Sequence, residues 1–188
     1  HETGDSGNQT TRLATLRKLC EYAKNPANGI WIAPVSEIAA YVKAARDTIN
    51  IPDMVAPSAN GDLLLTANSG KGVGPKIQYM PEWKAFGWFT SADHVEWEVE
   101  VAKAGTYTVD LDWSVADEEA GKPFVIDFGK SQLKGIVKKS GSWETFKTTR
   151  VGVIKLAAGR QKVSFKPATK FEKGALLDLR SLKLSPAK

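Results

Sequence analysis

The sequence predicts a mainly β protein, an antiparallel β-sandwich of jelly-roll type preceded by a small helix-strand-helix segment. Three observations carry that prediction. From His94 to Ser114 every second residue is apolar; beyond residue 62 turn-forming clusters recur at short intervals; and before residue 50 the apolar period is helical. A sheet with one apolar face must bury that face against a second layer. Because the later two-thirds of the chain offers further short strands rather than helices, a second sheet is the economical partner.

The elements follow in order. Leu13, Leu16, Leu19, Cys20 and Ala23 form one helical stripe, and Ile38, Ala39, Tyr41, Val42 and Ala45 form a second. Between them Gly29-Ile30-Trp31-Ile32-Ala33-Pro34 reads as a short buried strand, and Ser36 and Glu37 just after Pro34 open the second helix. One strand and two helices cannot close a core, so residues 1–50 read as part of something larger. Residues 51–61 carry Pro52, Pro57, Asn60 and Gly61 without periodicity and read as a linker to a domain over 62–188. Strands are expected at 63–67, 76–80, 94–102, 106–114, 123–128, 132–138, 145–156, 161–165 and 176–184. Turns are expected at Gly70-Lys71-Gly72, Ala120-Gly121-Lys122, Ser140-Gly141-Ser142 and Ala158-Gly159-Arg160. In the most regular stretch, Val95, Trp97, Val99 and Val101 share one face with Glu96, Glu98 and Glu100 opposite. After Lys103-Ala104-Gly105-Thr106, Tyr107, Val109, Leu111 and Trp113 repeat the pattern, so the pair reads as a β-meander.

Composition narrows the class. An apolar content of 42% over 188 residues suits a folded core, and the formal charge of +5 comes from dispersed lysines rather than an arginine cluster. Lys130, Lys134, Lys138, Lys139, Lys147, Lys155 and Lys162 read as a solvated face; attraction to a polyanion is the alternative, but no nucleic-acid motif accompanies it. Cys20 is the single cysteine, which excludes an intrachain disulfide and a thiolate metal site; it reads as a small buried hydrophobe. No apolar run is long enough to span a bilayer.

Specific residues sharpen this picture. The run His94-Val95-Glu96-Trp97-Glu98-Val99-Glu100-Val101-Ala102-Lys103-Ala104-Gly105-Thr106-Tyr107 resembles the strand-turn-strand core of carbohydrate-binding modules of the family 6 and 35 type. Ser140-Gly141-Ser142-Trp143-Glu144-Thr145-Phe146, the run from Val153 to Val163, and Leu176-Leu177-Asp178-Leu179-Arg180-Ser181-Leu182 follow in the same order. The resemblance covers about 62–186. Residues 1–50 are similar to the closing elements of a polysaccharide deacetylase barrel, on Gly29-Ile30-Trp31-Ile32-Ala33-Pro34-Val35-Ser36-Glu37-Ile38. That second resemblance implies that His1 stands where a catalytic acid would, and that the aspartate and histidine pairs holding the divalent metal lie upstream, so no such metal is expected in this chain. Together they imply a glycan-binding appendage of an esterase, working outside the cell or in the periplasm, with a polysaccharide and an upstream catalytic domain as partners and with neither nucleic acid nor membrane.

Sugar rings stack on flat aromatic faces, so the tryptophans are the first candidates. Trp97 and Trp113 are in phase with core residues and Trp31 belongs to the expected buried strand. Trp83, Trp88 and Trp143 lie in turn-rich stretches and are the candidate ligand contacts; the resemblance puts Trp88 and Trp143 at the two aromatic positions of the family's loop cleft. The asparagine that contacts sugar in that cleft is Leu176 here, which allows a cleft that is reshaped, shifted to a sheet face or lost. Asp178 matches a position that helps hold a structural calcium in relatives. Asp110, Asp112, Asp117, Glu118 and Glu119 read as solubilising carboxylates rather than an acid-base pair. His1 and His94 could together grip copper, as in oxidative polysaccharide monooxygenases, although no motif of that family follows. Three functions thus stand: a non-catalytic module that targets an enzyme to its glycan, the tail of a metal-dependent deacetylase, or a spacer with no ligand.

Overall fold

The computed structural model describes residues 11–46, 50 and 52–187. They divide into two compact units, residues 1–43 and 44–188. In the first unit α1 (Leu13–Lys24) ends at Asn25, whose extended backbone stops the helix and whose side chain caps Ala27 N–H at 3.0 Å. A 3₁₀ turn over Pro26–Asn28 follows and Gly29 closes it at φ 61°, a left-handed conformation that glycine adopts freely. α2 (Val35–Arg46) starts directly after Pro34 with Glu37 in its first turn.

The strand expected at 29–34 is absent. Ile30, Trp31 and Ile32 have no regular structure and stand 45%, 53% and 59% exposed, because the unit offers this stretch no sheet neighbour. Trp31 instead lies edge-on to Tyr41 at 5.1 Å. Cys20 is exposed, not buried as its helical phase suggested, since α1 buries no residue at all.

The second unit is the sandwich. Its strands are β1 (Leu63–Thr66), β2 (Lys71–Val73), β3 (Gln78–Met80), β4 (Ala85–Gly87), β5 (His94–Val101), β6 (Gly105–Ser114), β7 (Pro123–Asp127), β8 (Gln132–Ile136), β9 (Lys147–Leu156), β10 (Gly159–Pro167) and β11 (Asp178–Pro186). One sheet has the order β3-β4-β11-β6-β9, with β1 also paired to β11; the other has the order β2-β5-β10-β7-β8. Every pairing between these strands is antiparallel. Within the stretch expected as a linker, Val55 bridges Val99 and is buried, and just ahead of it Asn50 donates from its amide to the carbonyls of Ala67, Asn68 and Gly70.

The sequence located β5 and β6 to within a residue, yet they do not form a meander. β5 pairs with β2 and β10, whereas β6 pairs with β11 and β9 in the opposite sheet. Alternation fixes which side of a strand is dry but not which neighbour takes its backbone hydrogen bonds. Each strand thus turns its apolar side inward from its own sheet: Val95, Trp97, Val99 and Val101 from one, Val109, Leu111 and Trp113 from the other, all within a few per cent of complete burial. Phe165 stacks on Phe124 at 5.2 Å and meets the edge of Phe89 at 5.9 Å. Both buried indoles in this core satisfy their N–H, Trp97 on the Thr66 carbonyl at 2.7 Å and Trp113 on the Lys138 carbonyl at 3.2 Å.

Candidate functional site

Register alone brings the candidate residues to one end of the first sheet. Leu179 pairs with Phe86, Asp178 with Ser114 and Trp113 with Lys147. The end of β4, the start of β11, the end of β6 and the start of β9 therefore coincide. Trp88 follows β4 directly, Trp143 and Phe146 precede β9, and Asp178 opens β11 between them. Two strand spacings, roughly 10 Å, separate the end of β4, which Trp88 follows, from the end of β6, whose Ser114 holds the Trp143 carbonyl.

Trp88 is 64% exposed and adopts φ 59°. A bulky side chain in the left-handed region is strained, and a large exposed indole sacrifices burial as well, so the surrounding structure must hold it there. The holding is visible. Phe89 is fully buried, its carbonyl accepts from Leu176 N–H at 2.8 Å, and Asp93 accepts from Thr90 N–H at 2.7 Å, from the Thr90 hydroxyl at 2.5 Å and from Lys76 N–H at 3.1 Å. Asp93 is itself buried; burial works against its charge, but the hydrogen bonds from Thr90, Lys76 and Ile77 prevail and its carboxyl lies below the ordinary aspartate value.

Trp143 is partly buried against the core. Its carbonyl accepts from the Ser114 hydroxyl at 2.6 Å, and the loop is braced by Ser140, whose hydroxyl accepts from Val115 N–H at 2.8 Å and donates to the Val115 carbonyl at 2.9 Å. Trp83, 37% exposed in the β3–β4 turn, stacks on Phe146 with centroids 6.3 Å apart. Arg180 lies over the Phe146 ring at 3.5 Å, donates to the Trp83 carbonyl at 3.2 Å and approaches Asp112 at 3.9 Å. Burial raises the Asp112 carboxyl above its usual value, with Arg180 opposing the shift. Phe146 and Arg180 were not candidates from sequence. Phe146 could have been found from its place three residues after Trp143; Arg180 could not, because a register irregularity between Leu179 and Ser181 decides where its side chain goes.

Asp178 stands on the outer side of the sheet, where its Oδ1 lies 2.7 Å from the point a Cβ on Gly87 would occupy, beside the Sδ and Cε of Met80. Among the described residues it takes no hydrogen bond or ion pair, and burial alone pushes its carboxyl up to about 7. Calcium needs six to eight oxygen ligands. Here a thioether and a glycine flank the carboxylate, and among the described residues no cluster of three or more His, Cys, Asp or Glu could hold a metal ion. The residues present do not fit a calcium site at Asp178.

The remaining candidates sit elsewhere. His94 contacts Glu96 at 3.1 Å on the other sheet, Asp110 pairs with Arg150 at 3.2 Å, and His1 lies outside the described residues. A groove of about 440 Å³ on that other sheet is lined by Met54, Lys71, Glu96, Glu98 and Lys162. Within it Lys162 reaches Glu96 at 2.7 Å and holds that carboxyl below its ordinary value. Among the described residues no helix is long and apolar enough to cross a membrane.

Two layers of antiparallel strands, with aromatic residues on the loops of one end, define a β-sandwich. Solved structures bear out the fold. The sandwich is similar to the C-terminal family 6 module of a laminarinase from Zobellia galactanivorans (TM-score 0.55, 15% identity, 66% of this chain and 98% of that one). It is also similar to a family 35 module from Clostridium thermocellum (0.54, 14%, 67% and 98%). A third likeness is a module of lichenase 5A from Cellvibrio mixtus, solved with cellotriose (0.52, 13%, 66% and 97%). No protein-family model and no curated protein matches the chain.

Proposed function

We propose that the sandwich binds a polysaccharide at the end defined by Trp88, Trp143 and Asp178, and that it serves to hold an attached enzyme on its glycan. The observation that carries the reading is Trp88, an indole held out to solvent at 64% exposure in a strained backbone conformation that the buried Phe89 and Asp93 maintain. Nothing in the sandwich core requires that placement. Apolar C–H faces of a pyranose would pack on the two indoles while hydroxyls meet polar groups between them. Weak adhesion of this kind acts by raising the local concentration of a tethered catalytic domain.

The enzyme context rests on the first unit. Leu19, Tyr22, Trp31, Ile32 and Tyr41 are each more than half exposed, more apolar surface than a self-sufficient unit of this size carries. Such surface suits the closing elements of a deacetylase-like barrel whose remaining strands lie upstream, and the protein would then act outside the cell or in the periplasm. Affinity electrophoresis tests the binding reading, using soluble β-1,3-glucan, mixed-linkage β-glucan, β-1,3-galactan and an acidic polysaccharide. Retardation by at least one glycan, lost in Trp88→Ala and in Trp143→Ala, is the expected result. Migration unaffected by every glycan would refute it.

A further inference from the structure

The outer side of β11 carries two ionisable groups at the aromatic end, and they are not alike. Arg180 is fully engaged, by Phe146, the Trp83 carbonyl and Asp112. Asp178 is engaged by nothing among the described residues, although it sits between the strand that leads into Trp88 and the strand whose Ser114 holds Trp143. Its neighbours are Met80 and Gly87 from β3 and β4 and Ser114 from β6, none of them charged. Leu176, two residues earlier, is completely buried and offers no polar atom to the surface other than a backbone N–H already given to Phe89.

Asp178 is half-buried and keeps a solvent-accessible carboxylate that no protein donor among the described residues reaches, so a ligand hydroxyl can meet it without displacing a protein hydrogen bond. We propose, building on the glycan-binding reading above, that Asp178 is the polar contact of the Trp88–Trp143 platform, accepting hydroxyl hydrogens from a neutral sugar ring, and that it is not a metal ligand. Two carboxylate oxygens suit two adjacent hydroxyls, and charge-assisted bonds of this type are among the stronger ones. The same carboxylate repels a ring that carries its own carboxylate, so the substrate class is neutral glycan rather than polyuronate. Gly87 is part of the device, because a methyl group there would collide with Asp178 Oδ1 and with Met80 Cε at 2.7 and 2.6 Å.

The test uses the full chain with the polysaccharides named above, with cellotriose and β-1,3-galactotriose as calorimetric probes. Asp178→Ala should weaken binding of the retarding glycan at least tenfold without lowering Tm, Gly87→Ala should weaken it severalfold, and calcium chloride or a chelator should change neither affinity nor Tm. A calcium-dependent rise in Tm that disappears in Asp178→Ala overturns the proposal. So does stronger retardation by the acidic polysaccharide than by every neutral one. If Trp88→Ala abolishes binding while Asp178→Ala and Gly87→Ala leave it intact, this inference falls and the glycan-binding reading stands. If no glycan binds, both fall.

Discussion

The outer faces of the two sheets share cross-strand ion pairs and differ at one end. On the β2-β5-β10-β7-β8 face, charges alternate across neighbouring strands and pair: Lys162 with Glu96, Arg160 with Glu100, Lys166 with Asp127. On the β3-β4-β11-β6-β9 face Asp110 and Asp112 also have arginine partners, but at one end Trp88 stands in the open and Asp178 goes unpartnered among the described residues. That end is left incomplete, and incompleteness of that kind marks a surface shaped for something else. Cavity volume and exposed indoles point to different faces, since the groove of about 440 Å³ lies on the β2-β5-β10-β7-β8 side.

The sharpest way to break the contrast is at its foundation. Asp93→Ala orphans the donors of Thr90 and Lys76 beneath the Trp88 loop and should cost roughly 2–4 kcal/mol in chemical denaturation. Because the Asp93 carboxyl is depressed, its contribution is present above the unfolded value near 3.8 and fades as pH falls through the lower folded value, so wild type and variant should converge in acid. Trp88→Gly comes next: glycan affinity should drop by more than tenfold while the urea midpoint holds or rises, since glycine accepts the left-handed backbone freely. Asp178→Asn should be smaller and opposite in sign. A carboxyl raised from 3.8 to about 7 favours the fold fully below pH 4 and loses that advantage as pH rises through 7. The substitution should therefore stabilise by ~1–2 kcal/mol at pH 8, after allowance for solvent screening, and by almost nothing at pH 4. Lys162→Ala on the β2-β5-β10-β7-β8 face should change stability by less than ~0.5 kcal/mol and leave glycan retardation untouched.

Much of the sandwich could be read from residue types because burial imposes a period of two, and β5 to β11 fall close to where alternation places them. β2 and β4 escaped, for each is three residues long and Gly72 and Gly87 disguise them as turns. Pairing escaped too: the inward residues of β5 and β6 were right, but their assignment to opposite sheets depends on partners distant in sequence. At the site, Trp83, Trp88 and Trp143 were legible as aromatics outside the strand period. The isolation of Asp178 was not, because only the fold shows which donors fail to arrive. Nor could helical phase reveal that Cys20 and Trp31 lie uncovered, since a stripe says which side is apolar and not whether anything packs on it.

β11 bears one more consequence. Among the described residues it is the last strand to be made, yet it lies inside its sheet with β1 and β4 on one flank and β6 on the other. During synthesis the other strands of this sheet emerge before the one that joins them, so β3-β4, β6-β9 and the lone β1 wait with unsatisfied edges until residues 178–186 leave the ribosome. A nonsense codon just ahead of Asp178 would therefore withdraw the strand that unites the sheet, leaving an aggregation-prone chain in its place.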